Sequence, residues 1–292
     1  MHNWFLNHHL RRSTWIGIAV VLVVGLAVPA SAQLNKTQHS DGWLLAAAHA
    51  PGLHGSIWRT DLWVRGETNG AGTVTLYFNE SGEDNSLAPG YDIEFGEPGR
   101  IVYVEDVVDH FLGVGGGSWV GAIHYESTVP VQIYARVYSI SADGSASYGQ
   151  VIEGIPTADM TIPYPSDDYP GTREDQWMFA LKHTADNRYR VNIGVVNPTA
   201  VEASCPVTIF DETGNRPPGD GTSFSITVPP FSLVQLNDPF AAVSGGEWNS
   251  YIVRVENETL DSGVFAYASV VDNATNDAYF VRGVKLFTPD AE

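Results

Sequence analysis

The chain has 292 residues, with 34 acidic against 15 basic side chains and a formal net charge of −19. A field of that sign repels phosphate backbones, so no nucleic acid is expected as a partner. Cys205 is the single cysteine, which excludes an intramolecular disulfide and leaves the fold to be held by its own apolar core.

The first 32 residues read as an export leader. Arg11 and Arg12 close a polar start, an apolar run follows from Trp15 to Val28, and Pro29-Ala30-Ser31-Ala32 supplies small residues before Gln33. This is the pattern of a signal peptide cleaved after Ala32, which implies a secreted or periplasmic mature chain. The apolar run is short for a membrane anchor, and no cysteine stands at the cleavage site to carry a lipid. No later stretch is apolar over the length of a span, so no membrane span is expected in the mature chain. Residues 33–42 form a polar tail.

From Trp43 onward, short β-branched and aromatic runs alternate with period two between Gly, Asn, Asp and Pro. Trp58 to Gly66 (WRTDLWVRG) is echoed by Tyr189 to Asn197 (YRVNIGVVN). The echo continues in order. Val74 to Tyr77 answers to Val207 to Phe210, Ala122 to Glu126 to Ile252 to Glu256, and Val131 to Tyr138 to Val264 to Val271. The best helical candidate, Asp106 to Leu112, has its counterpart in Asp238 to Val243. Between the copies, residues 156–176 are rich in Pro, Asp and Tyr and read as an extended connector. The reading is all-β. Two tandem antiparallel β-sandwich domains of immunoglobulin-like type, residues 43–155 and 177–288, follow the signal peptide and are joined by the 156–176 linker.

Comparing the copies assigns a face to each side chain. Tyr189, Val191, Ile193 and Val195 alternate with Arg190, Asn192 and Gly194, so Trp58, Thr60, Leu62 and Val64 are expected inside, with Arg59, Asp61, Trp63 and Arg65 outside. The same rule turns Ile133, Ala135 and Val137 inward and Tyr134, Arg136, Tyr138 and His124 outward. If these strands share a sheet, one outer face carries Arg59, Trp63, His124, Tyr134, Arg136 and Tyr138. Rings bordered by forked donors suit the C–H faces and hydroxyl edges of a sugar, and they suit a protein partner equally. The structural alternative is that this face packs on the linker or on the second copy. Trp63 against Gly194 is the sharpest difference between the copies.

Other constellations read as structure. In Glu105-Asp106-x-x-Asp109-His110, Asp106 reads as the N-cap of the short helix, with Asp109 and His110 solvated. The acidic loops Asp211 to Asn215 and Asp272 to Asp277 read as turns, calcium being the weaker alternative, and no other cofactor or metal is expected. His49 and His54 lack the spacing of a zinc pair. Gly113 to Gly117 lacks the context of a phosphate loop. Cys205 shares a strand face with Val207 and Ile209 and reads as a buried hydrophobe. The Asn79, Asn257 and Asn273 sequons read as incidental turn residues.

The layout from Trp58 to Gly66, through Asp106-Val107-Val108 and the glycine-rich turn, to Tyr148-Gly149-Gln150 resembles repeat domains of uncharacterised secreted bacterial proteins with tandem immunoglobulin-like or fibronectin-like sandwiches. Asn192-x-Gly194-x-x-Asn197-Pro198 and Ala266 to Thr275 look like the partner half of that layout. The resemblance implies an extracytoplasmic β-tandem and brings no catalytic residues. The expected function is an exported, non-enzymatic binding or scaffolding protein with a protein or glycan ligand. The alternatives are a secreted hydrolase or its accessory carbohydrate-binding module, and a periplasmic assembly chaperone.

Overall fold

Period-two text becomes strand almost wherever it occurs. The structure, a computed structural model, describes residues 39–52, 55–66, 71–96, 99–112, 117–163, 172–184, 186–217, 221–243 and 248–289. The leader, His54 and most of the glycine-rich turn lie outside the described residues. In the N-terminal half, β1 (His39–Pro51), β2 (Ile57–Gly66), β3 (Gly72–Glu80), β4 (Gly90–Phe95) and β5 (Ile101–Val104) precede helix α1 (Val107–Leu112). The 22-residue strand β6 (Trp119–Ile140) follows, then β7 (Ser147–Glu153) and β8 (Ile155–Pro156). The C-terminal half contains β9 (Thr172–His183), β10 (Tyr189–Asn197), β11 (Ala203–Phe210), β12 (Ser223–Val228) and β13 (Ser232–Leu236). A 3-10 turn at Pro239–Ala242 leads to β14 (Trp248–Val255), β15 (Phe265–Asp272), β16 (Ala278–Arg282) and β17 (Val284–Pro289).

The chain is all-β, and its paired strands are antiparallel. The N-terminal half is one eight-stranded sheet and not the two separate sheets of a sandwich. The reason is β6. Its first part pairs with β3, from Val74 opposite Ser127 to Glu80 opposite Gly121, and with β1. Its last part pairs with β2, from Gly66 opposite Val131 to Ile57 opposite Ile140, and with β7. The exchange of partners falls at residues 128–130, where Pro130 has no N–H to give to a ladder. Because β6 also closes with β1 and β2, the sheet curls into a near-barrel.

The C-terminal half follows a similar pairing order but divides it into two sheets, β12-β11-β14-β9-β17 and β13-β10-β15-β16. Residues 256–264 interrupt what would be the long strand, turning through Asp261 at φ 63° and returning by a Thr161–Val264 bridge. Buried Asn257 holds this turn, donating to the Thr161 and Ser262 carbonyls and accepting from the Ser262 hydroxyl. Met178, Val191, Ile193, Val207, Ile226 and Val253 fill the space between the two sheets.

The other face of the four-stranded sheet is also buried. Val196, Leu233, Phe265 and Tyr267 join the core of the N-terminal half, each contributing about 1.5–3 kcal/mol by leaving water. The Gly82 N–H donates to the Leu233 carbonyl at 2.9 Å, and the Ser269 hydroxyl to Gln150 Oε1 at 3.1 Å. Residues 37–292 thus pack as one unit. Of the segment read as a linker, Pro156 pairs with Gly42 in β8, and Thr172 to Gln176 already belong to β9.

Candidate functional site

Pairing register sets the outer face of β5, β2, β6 and β7. Tyr103, Trp63, Tyr134 and Glu153 stand directly opposite one another in one row across the four strands. The next row is Asp61, Arg136 and Val151, the one beyond it Arg59, Tyr138 and Gly149, and the other side carries Ile101, Arg65 and Gln132. The Trp63 and Tyr103 rings lie 5.2 Å apart, tilted by 36°. Tyr134 donates to Glu153 Oε1 at 3.3 Å; partial burial and then the glutamate raise its phenol pKa. Arg136 lies over the Tyr138 ring at 4.6 Å and donates to Ser147 Oγ, while Arg65 donates to Gln132 Oε1. Tyr103 is 51% exposed and Glu153 is exposed, so both ends of the row are open to solvent, with Trp63 and Tyr134 partly buried between them.

Two residues of this face do not behave as free outward groups. Asp61 is only 6% exposed and accepts from the Tyr103 hydroxyl at 3.0 Å, the Tyr138 hydroxyl at 3.2 Å and the Asp106 N–H at 3.0 Å. Tyr138 is buried with it, and burial followed by the Asp61 charge pushes its pKa up to about 12. Arg59 lies with its Nε 3.5 Å from Asp106 Oδ2, so it closes the edge of the row.

Asp106 stands at the start of the helix, its carbonyl accepting the Asp109 N–H at 2.9 Å, but its side chain does not cap it as the text predicts. It adopts a left-handed φ of 44°, and its Oδ2 meets His49 Nδ1 at 2.8 Å and Arg59. Asp109 and His110 are exposed, as expected. The same contact recurs in the C-terminal half, where Asp238 has φ 50° and its Oδ1 lies 3.3 Å from His183 Nε2. His183 ends β9, and His49 stands two residues before the end of β1.

His124 does not belong to the aromatic row. It shares its parity on β6, but the strand changes partners between them. Its imidazole lies between Trp43 at 4.8 Å and Tyr77 at 5.4 Å, with Asp41 Oδ1 at 2.8 Å from Nε2. Arg254 holds the matching place in the second half, over Trp177 at 5.7 Å and Phe210 at 5.9 Å, with Asp175 Oδ2 at 4.0 Å. Burial raises the Asp175 pKa against the pull of Arg173 and Arg254.

The acidic loops are occupied by their own turns. Asp211 Oδ1 accepts from the Thr213 N–H and hydroxyl and the Asn215 N–H, which lowers its pKa. Asp272 takes a two-point contact from Arg188 at 2.8 and 2.7 Å, which lowers its pKa likewise. Among the described residues, no group of three or more His, Cys, Asp or Glu converges as a metal site. The Asn79 and Asn257 sequons are buried, and the Asn273 amide is bound to the Asn187 carbonyl. Cys205 is buried, and burial pushes its thiol up to about 12.

Fold and face together define an all-β protein with a solvent-open aromatic row across a curled antiparallel sheet. No protein-family model and no curated protein matches the chain. Among solved structures, a lectin from Pleurotus ostreatus in complex with GalNAc aligns with 87% of this chain and 84% of its own, at 11% identity and a TM-score of 0.19. The apo form of the Pleurotus ostreatus lectin aligns with 86% and 83%, at 11% identity and a TM-score of 0.18. TM-scores of this size define no shared fold.

Proposed function

We propose that the chain is an exported, non-enzymatic binding protein that takes a glycan on the outer face of β5, β2, β6 and β7. The observation that carries this reading is the open row of Tyr103, Trp63 and Tyr134, with Arg65 and Gln132 on one side and Arg136 on the other. Flat rings accept the C–H faces of sugars, and the guanidinium and amide groups at their edges suit hydroxyls. Asp61 and Glu153 are engaged by tyrosine hydroxyls, which fits a platform held in shape and not a pair of free catalytic carboxylates. The leader ending at Ala32 supplies the export route. The similar strand order of the halves supports descent of both from one duplicated β-unit, with the aromatic row kept only where no second half covers the sheet.

The test is a glycan array probed with the wild-type protein and with Trp63→Ala and Tyr134→Ala. Trp63 is only partly buried, so its truncation is expected to leave the fold intact and to weaken binding about tenfold or more. Equal binding by both variants and the wild type removes the face from the reading. A protein partner is the second reading, favoured by exposed Ile101 and Val151 beside the row. A blank array together with a Trp63-dependent protein complex would select it.

A further inference from the structure

We infer that a cavity between the two halves is a second binding site, for a small neutral polyhydroxylated molecule of mono- or disaccharide size. The cavity measures about 520 Å³, within the range of small-molecule sites. One wall is the alanine-rich part of β1, Ala46 to Ala48 and Ala50, where methyl groups leave the volume unfilled. The facing wall is the outer surface of β10, β13 and β15, which elsewhere packs tightly on the N-terminal half.

Asn192 is the group that asks for a ligand. It projects from β10 into this wall, is 8% exposed, and its side-chain oxygen has no hydrogen-bond partner. A buried acceptor left unmade is costly, and such exceptions call for a partner. The groups around it are already held by others. Gln235 accepts from the Tyr267 hydroxyl at 2.8 Å and donates to Asn237 Oδ1 at 3.0 Å. Gln150 accepts from the Ser269 hydroxyl, and Arg190 donates to Asn273 Oδ1. Fixed amides present donors and acceptors without reorganising, which favours hydroxyl recognition.

The ligand's class follows from the lining. No carboxylate lines the cavity, so a cation finds no counter-charge there. The unmet atom is an acceptor and requires a donor, which a carboxylate or a fully ionised phosphate cannot supply. A hydroxyl can donate to Asn192 and accept from the amides. Trp58, opposite Ala50 on the alanine wall, offers an indole to the C–H face of a sugar ring.

The experiment is isothermal titration of the purified protein with glucose, galactose, N-acetylglucosamine, lactose, cellobiose and glucuronate. At least one neutral sugar is expected to bind with a Kd on the order of 1 mM or tighter. Asn192→Leu is expected to weaken that binding about tenfold or more with its Tm unchanged or raised, since it removes an unsatisfied buried polar atom. Asn237→Ala, at an exposed position on the cavity rim, is expected to weaken binding by about threefold or more without risk to the fold. The same titrations on Trp63→Ala separate the two sites: a sugar lost with Trp63→Ala and kept by Asn192→Leu binds the sheet face and counts against the cavity. Binding of no neutral sugar, of glucuronate alone, or of a sugar that Asn192→Leu and Asn237→Ala hold as tightly as the wild type would overturn the inference.

Discussion

Replacing Gly194 with alanine tests whether the docked face of β10 excludes side chains by contact. Gly194 pairs across the strand with Tyr267, and a Cβ built on it would sit 2.2 Å from two ring carbons of that tyrosine. The ring has little room to retreat. It is 1% exposed, stacks on Phe280 at 5.0 Å, and its hydroxyl is held by Gln235 at 2.8 Å. Overpacking of this kind costs about 1–3 kcal/mol. Alanine also reduces the freedom of the unfolded chain, which returns about 0.4–1 kcal/mol. The expected net loss is roughly 1–2 kcal/mol, or about 2–8 °C in Tm for a chain of this size. Urea denaturation should show a lower midpoint at an unchanged m-value. If the clash is with the ring, Gly194→Ala combined with Tyr267→Leu should cost less than the sum of the single changes, by about 0.5–3 kcal/mol. A Gly194→Ala protein as stable as the wild type, or strictly additive costs, would refute the reasoning.

Asp61→Ala strands the buried Tyr138 hydroxyl and the Asp106 N–H, so a loss of about 2–4 kcal/mol is expected in chemical denaturation, with Asp61→Asn recovering part of it. A neutral result would show that the three donors find other acceptors. With its thiol raised to about 12 by burial, Cys205 stays protonated throughout the working range. A thiol reagent at pH 8 should therefore label it only once denaturant opens the fold, and rapid labelling of the native protein would contradict its burial.

Much of the fold is legible because period two reports on the face nearest in sequence. Thr60, Leu62 and Val64 are buried as the text predicts, and the helix at Val107–Leu112 falls inside the segment read as helical. The docking of the halves is a long-range event that alternation cannot encode. Its trace was nonetheless present: Phe265 to Val271 carries apolar or small residues at both parities, the mark of a strand covered on both sides. The separation of His124 from the aromatic row has a different cause. Parity along β6 is continuous, but partner exchange at Pro130 places the two segments against different neighbours. The His49–Asp106 and His183–Asp238 contacts were hidden because the copies were compared through their strands, whereas these pairs join strand ends to left-handed residues.

The continuity of β6 also orders the assembly of the chain in time. A polypeptide delivered from its N-terminus presents β1, β2 and β3 first, and each of them takes β6 as a partner. Leu44, Leu45, Leu62 and Leu76 therefore wait, uncovered and prone to clump, until residues near Ile140 have emerged. In the C-terminal half the matching roles are divided, β11 pairing with β14 and β10 with β15, so that no one strand must serve both. A chain stalled between Thr128 and Pro130 would thus leave β2 with only β1 and β5 as partners, while the same break among residues 256–264 would fall in a turn.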